Sequence, residues 1–286
     1  MPIRKKSNSL VQFPGPSKRK KSNIFVRFSG PPIQFQAIAV LWMREMKRTW
    51  RAKSRIIGSL MMPFFFLLFL GSGFRRASIP GMPQGADYIS FLIPGMVGMS
   101  LLFSSTFGGL QVLWDKEFGF LKEIMVAPVS RLSIVLGRIA GSSTTALIQA
   151  FMLLVCGTIL GFRIHHWTGA VPALVFMVLI SFTFIGMGLA FASRMKDMHG
   201  FQLVMSFVVF PIFFLSGALF PISQLPTFLK GFVYINPLTY GIDGLRASLS
   251  GFSAFPLPLD FGVLLFACLG MVSVGSALFE TCDVGQ

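Results

Sequence analysis

The apolar positions of this chain do not alternate with polar ones; they run together in long blocks. A hydrocarbon core about 30 Å thick is crossed by roughly 20 apolar helical residues. Six blocks reach or approach that length: 56–73, 88–113, 132–162, 171–193, 201–220 and 259–279. The third is longer than the core alone requires, which places its first turns, 132–138, in the headgroup region. Six crossings put both termini on the same side. Trp50, Trp114, Trp167 and Tyr88 fall at predicted span ends, where amphipathic rings prefer to sit.

Three segments between or before these blocks carry a pattern of their own. Over 34–55 the period is helical: Ile38, Leu41, Trp42, Met46 and Trp50 share one face, and Arg44, Lys47, Arg48, Arg51 and Arg55 the opposite one. Such a helix suits the plane of the headgroups. Glu45 falls on its apolar side without an evident reason. In WDKEFGFLKEIMVAPVSR (residues 114–131), Asp115 and Glu117 favour a helix start. Phe118, Leu121 and Met125 share a face, and Pro128 ends the helix. This apolar face is too short to span a bilayer, so lipid or a partner groove must cover it. Residues 221–258 are too apolar for a free loop and too broken by Pro and Gly for a crossing. They predict short helices dipping into the outer leaflet, with Tyr234 and Tyr240 at headgroup level.

Composition agrees with the pattern. Of 286 residues, 53% are hydrophobic and 12% charged. A soluble globule of this size could not bury so much apolar surface with so few charges for its exterior. The three cysteines are odd in number and far apart, which excludes a disulfide scaffold. The net charge of +15 has a location: with the N-terminus inside, 20 of the 25 Lys and Arg lie on the inner side and five outside. Both termini are therefore expected in the cytoplasm. Residues 1–33 read as an unstructured basic cytoplasmic tail, with clusters at 4–6 and 18–21. The cations are matched to anionic lipid rather than to nucleic acid, because no groove-reading motif accompanies them.

Chemistry is sparse. There is no G-x-x-x-x-G-K-[ST] phosphate loop and no G-x-G-x-x-G. His165, His166 and His199 do not form a ligand set. Asp87, Asp115, Glu117, Glu123, Asp197, Asp243, Asp260 and Glu280 map to span ends or loops, and Arg138 is the one charge that leans inward. An ion-driven carrier needs carboxylates or His at membrane depth, so a transporter of this composition needs an external motor. The polar residues within spans are hydroxyls and amides. Ser142, Ser143, Thr144 and Thr145, with Gln149 nearby, are the densest group and the candidate lining of a path. Single members of such groups also serve helix packing, as Gly137-x-x-x-Gly141 would.

Three segments together resemble a known family. YISFLIPGMVGMSLLFSSTF (88–107), WDKEFGFLKEIMVAPVSR (114–131) and FFLSGALFPISQLPTFLKGFVYINPLTYGIDGLRA (213–247) are similar, in order, to segments of the permease subunits of type 2 ATP-binding-cassette (ABC) exporters. The daunorubicin-resistance-like branch is nearest. The resemblance runs from about residue 34 to the C-terminus. It implies an all-α integral membrane protein with six transmembrane helices. It also implies a connecting helix at 34–55, a cytoplasmic coupling helix at 115–128 and external re-entrant helices at 221–245. Two permease copies would form the pathway, and two copies of a separate ABC ATPase, which binds ATP and Mg, would drive it; this chain would bind no cofactor and hydrolyse nothing. Asp115, Glu117, Phe118, Gly119, Leu121, Glu123 and Pro128 would dock that ATPase. The expected activity is export of a lipophilic or amphipathic solute, a drug-like molecule or lipid, across a prokaryotic plasma membrane. A polysaccharide or glycolipid cargo is the alternative within the family, and a membrane-embedded enzyme or assembly factor the alternative outside it.

Overall fold

In the computed structural model, residues 34–74, 87–117, 129–164, 167–195 and 197–280 are described. The basic tail and most of the predicted coupling helix, 118–128, lie outside them. The described residues form helices and connecting turns: α1 (Phe35–Arg51), α2 (Lys53–Gly73), α3 (Tyr88–Glu117), α4 (Arg131–Ile159), α5 (Ala170–Arg194), α6 (Met198–Phe214), α7 (Thr227–Ile235), α8 (Pro237–Ser250) and α9 (Leu257–Glu280). Apolar runs without nearby water leave a backbone no choice but to satisfy its own hydrogen bonds, and the helix is the local way to do so.

Five helices, α2, α3, α4, α5 and α9, are long and apolar enough to cross a membrane. The fifth predicted crossing, 201–220, is the shorter α6. It opens as α-helix, widens into a π-turn over Met205–Val209 and closes at Phe214. Pro211 follows the π-turn, and Gly217 takes φ +71 in the turn beyond. The chain there leaves the helical path, since a left-handed residue cannot continue it.

The bundle is built around α3. Of its most apolar stretch 83% is buried, against 17% for α2 and for α9, which lie outermost. α3 and α5 meet along glycines: a Cβ on Gly188 would stand 2.6 Å from Thr106 O and 3.2 Å from Gly109 Cα. Hydroxyls join three helices where α3, α5 and α4 converge. Ser105 Oγ donates to Ser181 Oγ at 3.2 Å, and Ser181 Oγ to Ser143 Oγ at 2.9 Å.

α1 does not simply rest on lipid. It packs along the first half of α4, where Gly137 and Gly141 remove the side chains that would hold it off. A Cβ on Gly137 would stand 2.9 Å from Leu41 Cβ, and one on Gly141 2.7 Å from Glu45 Cβ. This is the reason for Glu45 on the apolar side: it is buried in the seam against Gly141. Phe35, Trp42, Met43 and Trp50 stay exposed. The predicted continuous helix over 34–55 breaks at Ala52 (φ −94, ψ 57), after which α2 begins.

At the opposite end, the segment predicted as short dipping helices forms α7 and α8. Asn236 caps α8 through Leu238 N at 3.0 Å, with Pro237 at the first helical position. Two aromatic residues expected at the headgroups are internal instead. Tyr88 is buried and donates to Leu219 O at 3.1 Å; Tyr240 is 7% exposed and donates to Tyr234 O at 2.8 Å. Each phenol found a carbonyl inside the bundle, which makes burial affordable.

Candidate functional site

The four hydroxyls of the 142–145 cluster divide by helical geometry. Successive residues are about 100° apart, so one cluster faces several neighbours. Ser143 points into the α3–α5 hydroxyl chain described above. Thr144 donates to Ala140 O at 2.8 Å and accepts from Trp42 Nε1 at 3.0 Å, tying α1 to α4. Thr145 donates to Gly141 O at 3.1 Å and sits 3.1 Å from Thr49 Oγ1 of α1. These contacts are packing.

Ser142, Thr145 and Gln149 recur at i, i+3 and i+7, one face of α4, and line a cavity of about 380 Å³ between α2, α3 and α4. Across from them α3 presents Ser104, Phe107, Gln111 and Trp114, again at helical spacing; α2 contributes Gly58 and Ser59. The side chains lining it, among the described residues, carry no charge. Ser142 and Gln149 are 3% and 4% exposed, yet Ser142 Oγ and Gln149 Oε1 find no hydrogen-bond partner among the described residues. Buried polar atoms are normally paired, because desolvation without a partner costs about 1–3 kcal/mol. Both atoms are closed off from the cavity itself, each with less than 1 Å² accessible, and a Cβ on Gly108 of α3 would stand 2.9 Å from Ser142 Oγ. Three of the five residues singled out from sequence thus meet in one place, and two do not.

Next to the cavity lies a charged junction. Asp115, in the last turn of α3, pairs with Arg138 of α4, both buried, and stands 3.8 Å from Arg44 of α1. Burial pulls the Arg44 guanidinium below its ordinary value, and Asp115 opposes that shift. Arg48 donates to Gln111 Oε1 at 3.3 Å and lies 5.9 Å over the Trp114 ring. The Asp115 carboxylate is therefore engaged within this chain. Glu117 ends α3, and Phe118, Gly119, Leu121, Glu123 and Pro128 lie outside the described residues.

A second ionic group, at the other end of the bundle, escaped the sequence reading. By sequence Asp243 and Asp260 map to span ends or loops and Arg246 is one of the five outer-side cations, yet Asp243, Arg246 and Asp260 are 1%, 4% and 0% exposed. Arg246 stacks 3.7 Å from the Phe91 ring centre and donates to Gly217 O at 3.1 Å. Burial pulls it down to about 10, with Asp243 opposing. Asp243 accepts from Ala254 N and Phe255 N at 2.8 and 2.9 Å. The available signal was the Asp-x-x-Arg spacing inside an apolar helix, which puts opposite charges on one face.

Five helices of membrane-spanning length, packed around an uncharged cavity beside an ion-paired junction, make this a polytopic helical membrane protein. The comparison with known sequences makes this particular. The profile of the ABC-2 type transporter family matches residues 36–250, and the chain belongs to that family. It is 27% identical over 233 residues to the inner membrane transport permease YadH of Escherichia coli K12, covering 80% of this chain and 89% of that protein. It is 26% identical over 231 residues to nodulation protein J of Rhizobium leguminosarum bv. viciae, covering 80% and 88%. A ycf38 transport permease of Cyanophora paradoxa is 26% identical over 212 residues, covering 74% and 73%. The chain is a multi-pass transport permease of the ABC-2 type.

Proposed function

We propose that this chain is the membrane subunit of an ATP-driven exporter that moves a lipophilic or amphipathic solute, a drug-like molecule or lipid, out of the cytoplasm of a prokaryote. The observation that carries the reading is the cavity between α2, α3 and α4, mostly apolar and lined by uncharged side chains. A separate ABC ATPase, two copies with its ATP and Mg, supplies the work. A second copy of the permease completes the pathway, and both termini face the cytoplasm.

In this reading the segment 115–128 meets the ATPase. Glu117, Phe118, Gly119, Leu121, Glu123 and Pro128 form the contact, while Asp115 acts at its root by holding α3 to α4 and α1. Displacing that segment then moves three helices that border or brace the cavity. The test is co-purification with a phosphate-loop ATPase, followed by ATP-dependent uptake of lipophilic dyes into inverted vesicles. Glu117→Arg and Gly119→Pro are expected to abolish uptake and ATPase capture at unchanged expression. Full uptake in both variants would remove the docking assignment.

A further inference from the structure

The basic face of α1, together with the break at Ala52, lines an open groove of about 660 Å³. Arg44, Lys47, Arg48 and Arg51 stand at i, i+3, i+4 and i+7, one face of the helix, and Val40 and Met43 continue that face toward the helix start. The opposite face is the seam with α4. Arg44 stands 3.8 Å from Asp115, and Arg48 lies over the Trp114 ring. Asp115 closes the apolar span of α3. These contacts therefore set the groove level with the end of a membrane crossing, where lipid headgroups lie.

The groove holds more positive charge than the described residues answer. Asp115 is shared between Arg44 and Arg138. Glu45 is on the other face, buried against Gly141. Lys47, Arg48 and Arg51 form no ion pair among the described residues. The carbonyl end of α1 contributes only about half a negative charge, too little to balance three cations. An ammonium and two guanidiniums on one helix face suit a phosphate, whose oxygens accept from several charged donors at once.

Two observations make the bearer of that phosphate a lipid. Val40 and Met43 are exposed inside the groove, as are Phe35 and Trp50 at the two ends of α1. A soluble anion would leave this apolar surface uncovered. The groove also ends at Ala52, where α2 begins, and α2 exposes Ile57, Met61 and Phe65 at i, i+4 and i+8. That ridge is about 12 Å long and suits an acyl chain. We propose that the groove is a headgroup site for an anionic phospholipid, its phosphate among Lys47, Arg48 and Arg51 and its chains along α2. The lipid is resident rather than transported: it answers the charge of α1 and braces that helix beside the Asp115–Arg138 pair.

Native mass spectrometry of the full chain in a maltoside detergent tests this by counting bound molecules. The chain is titrated with dioleoylphosphatidylglycerol and with dioleoylphosphatidylcholine, which has the same chains and no net charge. A third titration repeats the phosphatidylglycerol series in excess glycerol 3-phosphate, a phosphate without chains. One phosphatidylglycerol per chain is expected to bind, at about tenfold lower concentration than phosphatidylcholine and undisturbed by glycerol 3-phosphate. Lys47→Gln and Arg51→Gln should each weaken that binding about fivefold, and together about thirtyfold. Both side chains are exposed, so the thermal transition should be kept. Arg194→Gln removes the exposed cation that ends α5, outside the groove, and should change binding by less than about twofold. Equal weakening by Arg194→Gln and Arg51→Gln would overturn the site in favour of diffuse surface charge. Equal binding of phosphatidylcholine would remove the role of the cations, and displacement by glycerol 3-phosphate would replace the lipid by a soluble phosphate. No saturable binding of either lipid would remove the site. If the double variant binds phosphatidylglycerol as wild type does but no longer captures an ATPase, the face is a protein contact and the proposal falls.

Discussion

Asp115 and Arg138 form a buried ion pair across the start of α4, joining the last turn of α3 to the second turn of the helix that follows segment 118–128. Both residues are less than a tenth exposed. Breaking such a pair strands a charge and costs about 3–5 kcal/mol. Asp115→Ala or Arg138→Ala is therefore expected to lower the thermal midpoint of the purified protein sharply. The double variant Asp115→Leu/Arg138→Met should recover much of it, because packed apolar groups often replace a buried pair without loss. Fluorescence-detected size exclusion after heating distinguishes the three. If the double variant is as unstable as the singles, the junction does more than neutralise charge.

The seam between α1 and α4 depends on a missing side chain at Gly141. Thr49 Oγ1 and Thr145 Oγ1 are 3.1 Å apart, so Thr49→Cys with Thr145→Cys should crosslink readily on mild oxidation. Adding Gly141→Leu, whose Cβ would stand 2.7 Å from Glu45 Cβ, should lift α1 and suppress the crosslink several-fold. The readout is the electrophoretic shift between reduced and oxidised samples.

Stability and transport are expected to move in opposite directions at the cavity. Gln149→Leu and Ser142→Ala each remove a buried atom that has no partner among the described residues. Each should leave the resting protein as stable or more stable, by up to about 1 kcal/mol. Under the proposed function each should also reduce ATP-dependent uptake. Thermal unfolding and vesicle uptake on the same preparations check both halves.

Arg246 is expected to tolerate no replacement, lysine included. Its guanidinium stacks on Phe91 while donating to Gly217 O and facing Asp243 at 3.7 Å. An ammonium cannot stack and fork together. Arg246→Lys should lower the thermal midpoint, and Arg246→Ala should prevent recovery of folded protein, since Asp243 then stays buried without its cation. By contrast Asp260→Asn should be neutral or stabilising, because both its carboxyl oxygens are buried without a partner among the described residues.

The long helices were legible because a membrane imposes a one-dimensional rule: residues 56–73, 88–113, 171–193 and 259–279 agree with α2, α3, α5 and α9 to within a few residues, apart from the charged extension of α3 to Glu117. Where the apolar run continued past a change in backbone geometry, hydropathy overreached. It carried 201–220 through a π-turn and past Gly217, neither of which alters side-chain polarity. It likewise placed Tyr88 at the surface, since its carbonyl partner at Leu219 is 131 residues away.

Taken alone, the order of residues determined what depends on near neighbours: which stretches must be helical, where a basic face runs along α1, and that Ser142, Thr145 and Gln149 share one side of α4. Only the tertiary structure decided which hydroxyls are spent on packing and which stay without a partner. It also decided that Asp115 meets Arg138, and that Asp243, Arg246 and Asp260 are withdrawn from solvent. The physical reason is distance along the chain. A helical face is a local property, while the partner of a polar atom is set by whichever helix the bundle brings opposite it.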